Sequence, residues 1–361
     1  MKQNNFVIFT GLFIGAFAVI LTMLGNPQNM GICVACFIRD ISGSLGLHRA
    51  EVVQYLRPEI PGFILGAFIV SLSTGEFSSR GGSSPFTRFI IGFFVMVGAL
   101  VFLGCPLRMV LRLAAGDLNA AIAFVGFAAG IWVGLDFIKK GFSLGRSYKI
   151  QKGNGYILPV IAIILLIFAL TSPSFIFQSI KGPGSMKAPF VIALLAGLIV
   201  GILAQRSRLC MAGAIRDIFL IKDFHLFWGF GSIFVSTLVL SIATGSFKLG
   251  FSGQPIAHND ALWNFLGMFL VGYGSVLLGG CPLRQCILSG EGDTDSAITF
   301  VGMLIGAAFS HNFGIAASGD GVGLNGKIAV IMGICVLTMI SYLNIHNSLL
   351  VRKGNIHATK S

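Results

Sequence analysis

The sequence is poor in charged residues. Only 11% of its 361 residues are charged and just 13 are acidic, whereas 55% are hydrophobic. Because soluble domains carry roughly 25% charged residues, a water-soluble globular protein is excluded. The mean hydropathy of +0.87 and the repeated long apolar runs indicate a membrane protein with several spans.

Several functional motifs are also missing. The chain has no G-x-x-x-x-G-K-[ST] sequence for nucleotide phosphates. Its net charge of +12 is not interleaved with aromatic residues in a basic patch, so nucleic-acid binding is not expected. The seven cysteines lack the paired spacing of a zinc site or of a secreted disulfide framework. We therefore expect no cofactor, no metal site and no enzyme activity.

Apolar runs predict ten membrane spans, and basic residues predict their orientation. The loop 139–153 holds five basic residues and no acid, and the C-terminal tail holds Arg352, Lys353 and Lys360. Because cytoplasmic loops are enriched in Lys and Arg, both termini are predicted to lie in the cytoplasm, with the protein in the inner membrane. The predicted spans are 5–24, 60–75, 86–103, 119–138, 155–172, 188–204, 227–244, 262–279, 296–317 and 327–346.

The chain contains an internal duplication. The stretch VFLGCPLRMVLRLAAGD at 101–117 shares Gly-Cys-Pro-Leu-Arg and a final Gly-Asp with LLGGCPLRQCILSGEGD at 277–293. In the same order, CVACFIRDI matches CMAGAIRDI, and SLSTGEF matches SIATGSF. Five predicted spans separate the two copies, and five is odd, so the copies should be inverted in the membrane. Inverted repeats are typical of transporters.

These patterns predict the fold class. We expect an all-α polytopic membrane protein made of two inverted repeats of about five spans each. Short re-entrant helices are expected at 31–43, 105–116, 210–222 and 281–292. The predicted division is an N-terminal repeat (1–154), a linking span with an external loop (155–187) and a C-terminal repeat (188–361).

The two Gly-Cys-Pro-Leu-Arg copies are candidate anion sites. Proline favours the first position of a helix, which makes Cys105 and Cys281 the N-caps of new short helices. A helix N-terminus attracts anions, and Arg108 and Arg284 add positive charge. The alternative is a plain helix break with a small cysteine packed at the turn. The symmetric recurrence with the arginine retained favours a functional site.

Other cysteines and charges belong to the same prediction. Cys33 and Cys210 end apolar runs, and thiols suit a soft sulfur- or selenium-bearing solute better than a hard ion. Charges at membrane depth line a polar path or pair with one another, so the Arg-Asp dipeptides either support the path or only hold a short helix. Cys36 and Cys286 have no counterpart and are accessory thiols or core residues. The supporting residues are Cys36, Cys286, Arg39, Asp40, Arg216 and Asp217.

With its duplicated Gly-Cys motif and its Cys-then-Arg element, the sequence resembles the YeeE/YedE family of membrane proteins. The resemblance implies an hourglass-shaped fold in which thiols pass thiosulfate along by hydrogen bonds. It makes Cys33, Cys105 and Cys281 the leading conduction residues, with Cys210 completing the set. The Cys-Pro-Leu-Arg continuation is more similar to the YedE branch, which is linked to selenium metabolism, than to the thiosulfate branch.

The predicted function is uptake of a small inorganic selenium- or sulfur-containing anion. A thiosulfate importer of the same fold is one alternative, and a membrane thiol–disulfide or sulfur-transfer enzyme that uses Cys33 and Cys36 is another. The expected partners are this anion and membrane lipid. A cytoplasmic sulfur or selenium carrier could also dock on the acidic turn 291–295, which is expected to be solvated.

Overall fold

Nearly all the regular secondary structure of the described chain is helical. The computed structural model describes the backbone of residues 2–358 and the side chains of residues 4–346. Two short strands, β1 (Arg80–Gly81) and β2 (Tyr148–Lys149), pair antiparallel between helices. The helices are α1 (Lys2–Met23), α2 (Val34–Ser44), α3 (Glu59–Ser73), α4 (Pro85–Phe102), α5 (Pro106–Ala114), α6 (Leu118–Lys139), α7 (Lys152–Thr171), α8 (Phe190–Ser207), α9 (Met211–Ile221), α10 (His225–Ala243), α11 (Ala261–Leu278), α12 (Pro282–Gly290), α13 (Thr294–Asn312) and α14 (Leu324–Ala358).

All ten predicted spans are helices, but they differ in length and polarity. Within the described chain, eight segments are long and apolar enough to cross a membrane. Helix α3 has only 15 residues, or about 22 Å at 1.5 Å per residue, and α13 is more polar. The basic tail residues Arg352, Lys353 and Lys360 lie outside the residues whose side chains are described. The eight segments are Asn4–Met23, Pro85–Ala114, Leu118–Lys139, Lys152–Thr171, Phe190–Ile221, His225–Ala243, Ala261–Gly290 and Leu324–His346.

The two sequence repeats interlock. Helix α1 packs against α10, and α3 packs against α8. By the duplication, α8 corresponds to α1 and α10 corresponds to α3. The contact of α1 with α10 is therefore equivalent to the contact of α8 with α3. The pairs α4–α13 and α6–α11 repeat this relation. Each repeat therefore completes its packing on the other. The inversion of the repeats in the membrane stays a prediction.

Glycines bring the paired helices close together. A Cβ added at Gly130 of α6 would lie 2.0 Å from the backbone oxygen of Phe269 on α11, and one at Gly126 would lie 2.2 Å from that of Phe265. Such distances are far inside van der Waals contact, so only glycine permits this approach. The high glycine content of the apolar segments thus reflects helix–helix packing.

Replacing Gly130 with alanine is expected to destabilise the protein by about 1–3 kcal/mol, since overpacking forces the helices apart. Gly231 in the middle of α10 is the matched control, because a Cβ there would meet nothing within 4 Å. Gly231→Ala should be neutral or stabilise by up to about 1 kcal/mol through helix propensity. Thermal unfolding of the detergent-solubilised variants measures both, and equal melting temperatures would contradict the interpretation.

Candidate functional site

Four cysteines stand at four breaks in the helical structure. Cys33, Cys105, Cys210 and Cys281 are the N-cap residues of the short helices α2, α5, α9 and α12, each with an extended backbone. Proline occupies the first turn of α5 and α12, as the sequence predicted. The thiol of Cys33 accepts a hydrogen bond from the Cys36 amide. All four short helices fall where re-entrant helices were predicted, and this prediction is confirmed as to their position in the chain.

The four cysteines form two buried pairs. The Sγ atoms of Cys33 and Cys105 lie 3.8 Å apart, at hydrogen-bond distance for thiols. In the other repeat, the amide of Cys281 donates to the Sγ of Cys210 at 3.4 Å. All four residues are buried. Each pair therefore joins two helix N-termini, whose free amides and dipoles create positive potential next to weak thiol donors.

Arg108 lies beside the Cys33–Cys105 pair and is fully buried. Its guanidinium donates to the carbonyl of Asn29 at 2.9 Å, to that of Ile256 at 3.0 Å and to that of Leu103. It also donates to the Sγ of Cys36 at 3.4 Å. No carboxylate lies within 4.0 Å of it among residues 4–346. Its positive charge is thus held by carbonyl dipoles and a thiol rather than by an acid.

The three carbonyls that bind Arg108 come from residues with unusual backbone angles. Asn29, Leu103 and Ile256 have φ values of 56°, 63° and 49°. This left-handed region is strained for residues other than glycine, most of all for a β-branched one. Arg108 therefore holds three chain reversals in place around the cysteine pair. The sequence predicted its positive charge but gave no sign of this positioning role.

Arg284, the counterpart of Arg108, has different contacts. Its Nη1 lies 3.3 Å from Oε1 of Glu291, and neither atom makes a hydrogen bond to a described residue. Cys286, on the same helix, is buried in the apolar core. The two arginines are thus equivalent in sequence but not in environment.

The two Arg-Asp dipeptides differ as well. Asp40 is fully buried between Arg39, at 2.7 Å, and Arg57, at 2.8 Å. Asp217 is 15% exposed, and among the described residues its one ion pair is with Arg216, which is 30% exposed. Arg57, which precedes α3, is buried and also donates to the carbonyls of Pro183 and Met186. In the sequence, only its position just before the predicted span 60–75 distinguishes Arg57.

The expectation of a solvated acidic turn at 291–295 is wrong. Glu291 and Asp295 are buried. Asp293 accepts a hydrogen bond from Arg80 at 2.9 Å, and Asp295 accepts two from the amides of Gly82 and Ser83. The segment around β1 folds over the turn and supplies these donors, which the sequence could not indicate. The turn therefore lacks the exposed acidic surface on which the expected docking of a carrier depended.

A small cavity opens next to the Cys33–Cys105 side of the site. It has about 40 Å³ of free space. We name it the Asn29 cavity, because Asn29 both lines it and binds Arg108. Its other lining residues are Ala18, Val19, Thr22, Gln28, Gly31, Leu111, Ala115, Thr237, Ser241, Ser246 and Pro255. Hydroxyl and amide groups dominate its polar lining, and none of these residues is charged.

The fold and the site together define a class of protein: an all-helical, multi-pass membrane protein with paired thiols at helix breaks. Across the described residues, no group of three or more His, Cys, Asp or Glu side chains could hold a metal ion. The family follows from comparison with known proteins. Residues 206–354 match the family described as "Sulphur transport". This match over about two fifths of the chain supports the resemblance to the YeeE/YedE proteins.

Two curated relatives match a shorter stretch of the chain. One is the thiosulfate transporter TsuA of Spirochaeta thermophila, 33% identical over 112 residues, which cover 30% of this chain and 33% of the relative. Another is the thiosulfate transporter TsuA of Escherichia coli, 29% identical over 110 residues, which cover 30% of each chain. The chain thus matches these relatives over about a third of their length.

Proposed function

We propose that the protein takes up a small sulfur- or selenium-containing anion across the inner membrane. The path runs from the Asn29 cavity along the Cys33–Cys105 and Cys210–Cys281 pairs. Thiosulfate is the first substrate to test, because both relatives are named thiosulfate transporters. A selenium oxyanion is the second, in line with the resemblance to the YedE branch.

One observation carries the proposal: the buried guanidinium of Arg108 next to the Cys33–Cys105 pair. A buried charge is costly unless it is compensated, and carbonyl dipoles leave the net charge at +1. A cation would be repelled from this place, whereas an anion would be attracted. The adjoining thiols supply weak donors to a soft, polarisable anion, and two helix N-termini add amide donors. Arg108 acts through its charge, since most of its donors are already bonded.

The proposal includes an orientation. The basic loop 139–153 favours a cytoplasmic position for that end of α6 and α7, with both termini on the same side. The repeats 1–154 and 188–361 are then inverted around the linking segment 155–187. The Asn29 cavity faces outward, and the Cys210–Cys281 pair lies nearer the cytoplasm.

Uptake into proteoliposomes tests the proposal. The protein is reconstituted beside Cys105→Ala and Cys281→Ala, and radiolabelled thiosulfate and selenite are supplied separately. Loss of a hydrogen bond to a charged group costs about 1.5–3 kcal/mol, so each variant should lower the uptake rate by about tenfold or more. Cys335→Ala is the matched control, because this cysteine is exposed on α14, away from the pairs.

The substrate that shows cysteine-dependent uptake identifies the branch. Uptake that is equal in all variants would remove the cysteines from the path. No uptake of either anion by folded protein would favour the other class, a membrane thiol enzyme. In that case Cys33 and Cys36 would be tested for a mixed disulfide.

A further inference from the structure

A cluster of charges occupies the place that the duplication assigns to a second cavity. Five lining residues of the Asn29 cavity are Gln28, Asn29, Gly31, Ala115 and Ser246. The two repeats align without a gap around each cysteine and again between SLSTGEF and SIATGSF, so each of these residues has a counterpart. The counterparts are, in the same order, Gln205, Arg206, Arg208, Glu291 and Glu76. A neutral, open site in one half therefore corresponds to a charged one in the other.

These charged residues contact one another. Glu76 accepts hydrogen bonds from Gln205, Arg206 and Arg208 at 2.7, 3.0 and 3.1 Å. The Gln205 hydrogen bond, with the guanidinium groups of Arg208 and Arg206, lowers the pKa of Glu76, so this carboxylate stays ionised. Glu291 in turn lies 4.0 Å from Arg208 and 3.3 Å from Arg80. We name the whole set the Glu291 cluster: Glu76, Arg80, Arg206, Arg208, Arg284, Glu291 and Asp293.

The centre of the Glu291 cluster is incompletely bonded. The side chain of Glu291 is 3% exposed and that of Arg284 is 10% exposed. Their facing atoms, Oε1 and Nη1, form an ion pair but no hydrogen bond to a described residue. Buried polar atoms are nearly always hydrogen-bonded. A buried guanidinium nitrogen that is ion-paired but makes no hydrogen bond to a described residue, three residues after Cys281, therefore points to a ligand.

Arg208 links this buried centre to solvent. Its side chain is 56% exposed and reaches both Glu76 and Glu291. Its φ of 57° is strained, whereas the counterpart position holds glycine. Such strain persists where the surrounding structure requires it, often at a binding site. With three carboxylates and four arginines, the Glu291 cluster has an excess of one positive charge.

We propose that Arg284 and Arg208 form an anion-binding site at the exit of the path, and that Glu291 occupies this site when no anion is bound. This inference rests on the proposed function and takes the same class of ligand, a small sulfur or selenium anion. The arriving anion displaces the Glu291 carboxylate from Arg284, and Arg208 then draws it toward solvent. No covalent bond changes in this exchange.

Cysteine labelling tests this inference separately from transport. A membrane-impermeant maleimide is applied to either face of oriented vesicles, with and without thiosulfate, and labelled Cys210 and Cys281 are quantified by peptide mass spectrometry. In Glu291→Gln and Glu291→Ala, the maleimide applied to one face should label Cys210 and Cys281 faster than in the unmodified protein. Thiosulfate should also protect these cysteines from labelling at about tenfold lower concentration, because the variants lack the Glu291 carboxylate that competes with the anion. Asp136→Asn, which removes an exposed carboxylate paired with Lys140, is the control and should match the unmodified protein.

A second variant keeps the test decisive if changes at Glu291 impair folding. Arg208→Gln alters an exposed side chain and should raise the thiosulfate concentration needed for protection by about tenfold. If the variants at Glu291 and Arg208 all behave like Asp136→Asn, the inference is overturned, even where uptake is normal. Faster labelling without any protection by thiosulfate would also overturn it. Glu291 would then only block access to the cysteines and would not occupy a binding site for the anion. Altered labelling and protection without uptake would instead support the site and reject the proposed transport.

Discussion

The variant Arg108→Gln is expected to lose about 3–5 kcal/mol of stability and to abolish uptake. The buried carbonyl of Leu103 and the partly buried carbonyls of Asn29 and Ile256 lose their donor, and an unsatisfied buried group costs about 1–3 kcal/mol. The strained backbone at these residues is then free to relax, which would disorganise the approach to the Cys33–Cys105 pair. Thermal unfolding in detergent measures the first effect, and proteoliposome uptake measures the second.

The chain provides a matched control in the other repeat. Arg284→Gln removes the same residue type from the same motif, but it breaks only one ion pair with no hydrogen bond. Its effect on stability should be smaller than that of Arg108→Gln, because Glu291 keeps Arg80 at 3.3 Å as a partner. Arg108→Lys should not rescue the first variant, because a single ammonium group cannot reach three carbonyls in the geometry of a guanidinium. If Arg108→Gln and Arg284→Gln melt at the same temperature, the positioning role of Arg108 is wrong.

The second large effect is expected at Asp40. Replacing it with alanine leaves the guanidinium groups of Arg39 and Arg57 buried without their carboxylate. Breaking a buried ion pair from one side typically costs about 3–5 kcal/mol, and we expect a loss in this range from chemical or thermal unfolding of the solubilised protein.

Asp217→Ala is the control for Asp40→Ala, since both aspartates lie in the sequence Ile-Arg-Asp-Ile. Its ion pair with Arg216 is partly exposed, and such pairs contribute about 1 kcal/mol or less. A similar loss of stability in the two variants would show that the buried environment of Asp40 is not what stabilises this region.

The sequence predicted local features of the site better than long-range ones. The ten spans followed from apolar runs, and the N-cap positions of Cys105 and Cys281 followed from the proline after each cysteine. Both predictions rest on residues that lie close together in the sequence. The identical Ile-Arg-Asp-Ile copies, in contrast, gave no sign that one aspartate is buried. That difference depends on Arg57, which comes from a separate loop.

The misread acidic turn has the same cause. Glu291 and Asp293 have the composition of a solvated loop, yet Glu291 is buried and Asp293 is partly buried. Both bind Arg80, about 210 residues earlier in the chain. Composition reports only the residues near a position in sequence. The contacts that decide the environment of these acids form only when one repeat folds against the other. Pairwise partners of this kind could not be predicted from one sequence.

The reciprocal contacts between the repeats bear on how such a chain could arise. The α1–α10 and α3–α8 contacts are one contact made twice, which is the defining property of an isologous two-fold interface. Before duplication, an ancestor with a single repeat would therefore have folded as a homodimer, with both copies contributing to the surroundings of each cysteine pair. Fusion then freed the two halves to diverge, which explains how one end could gain the charges of the Glu291 cluster while the other stayed neutral.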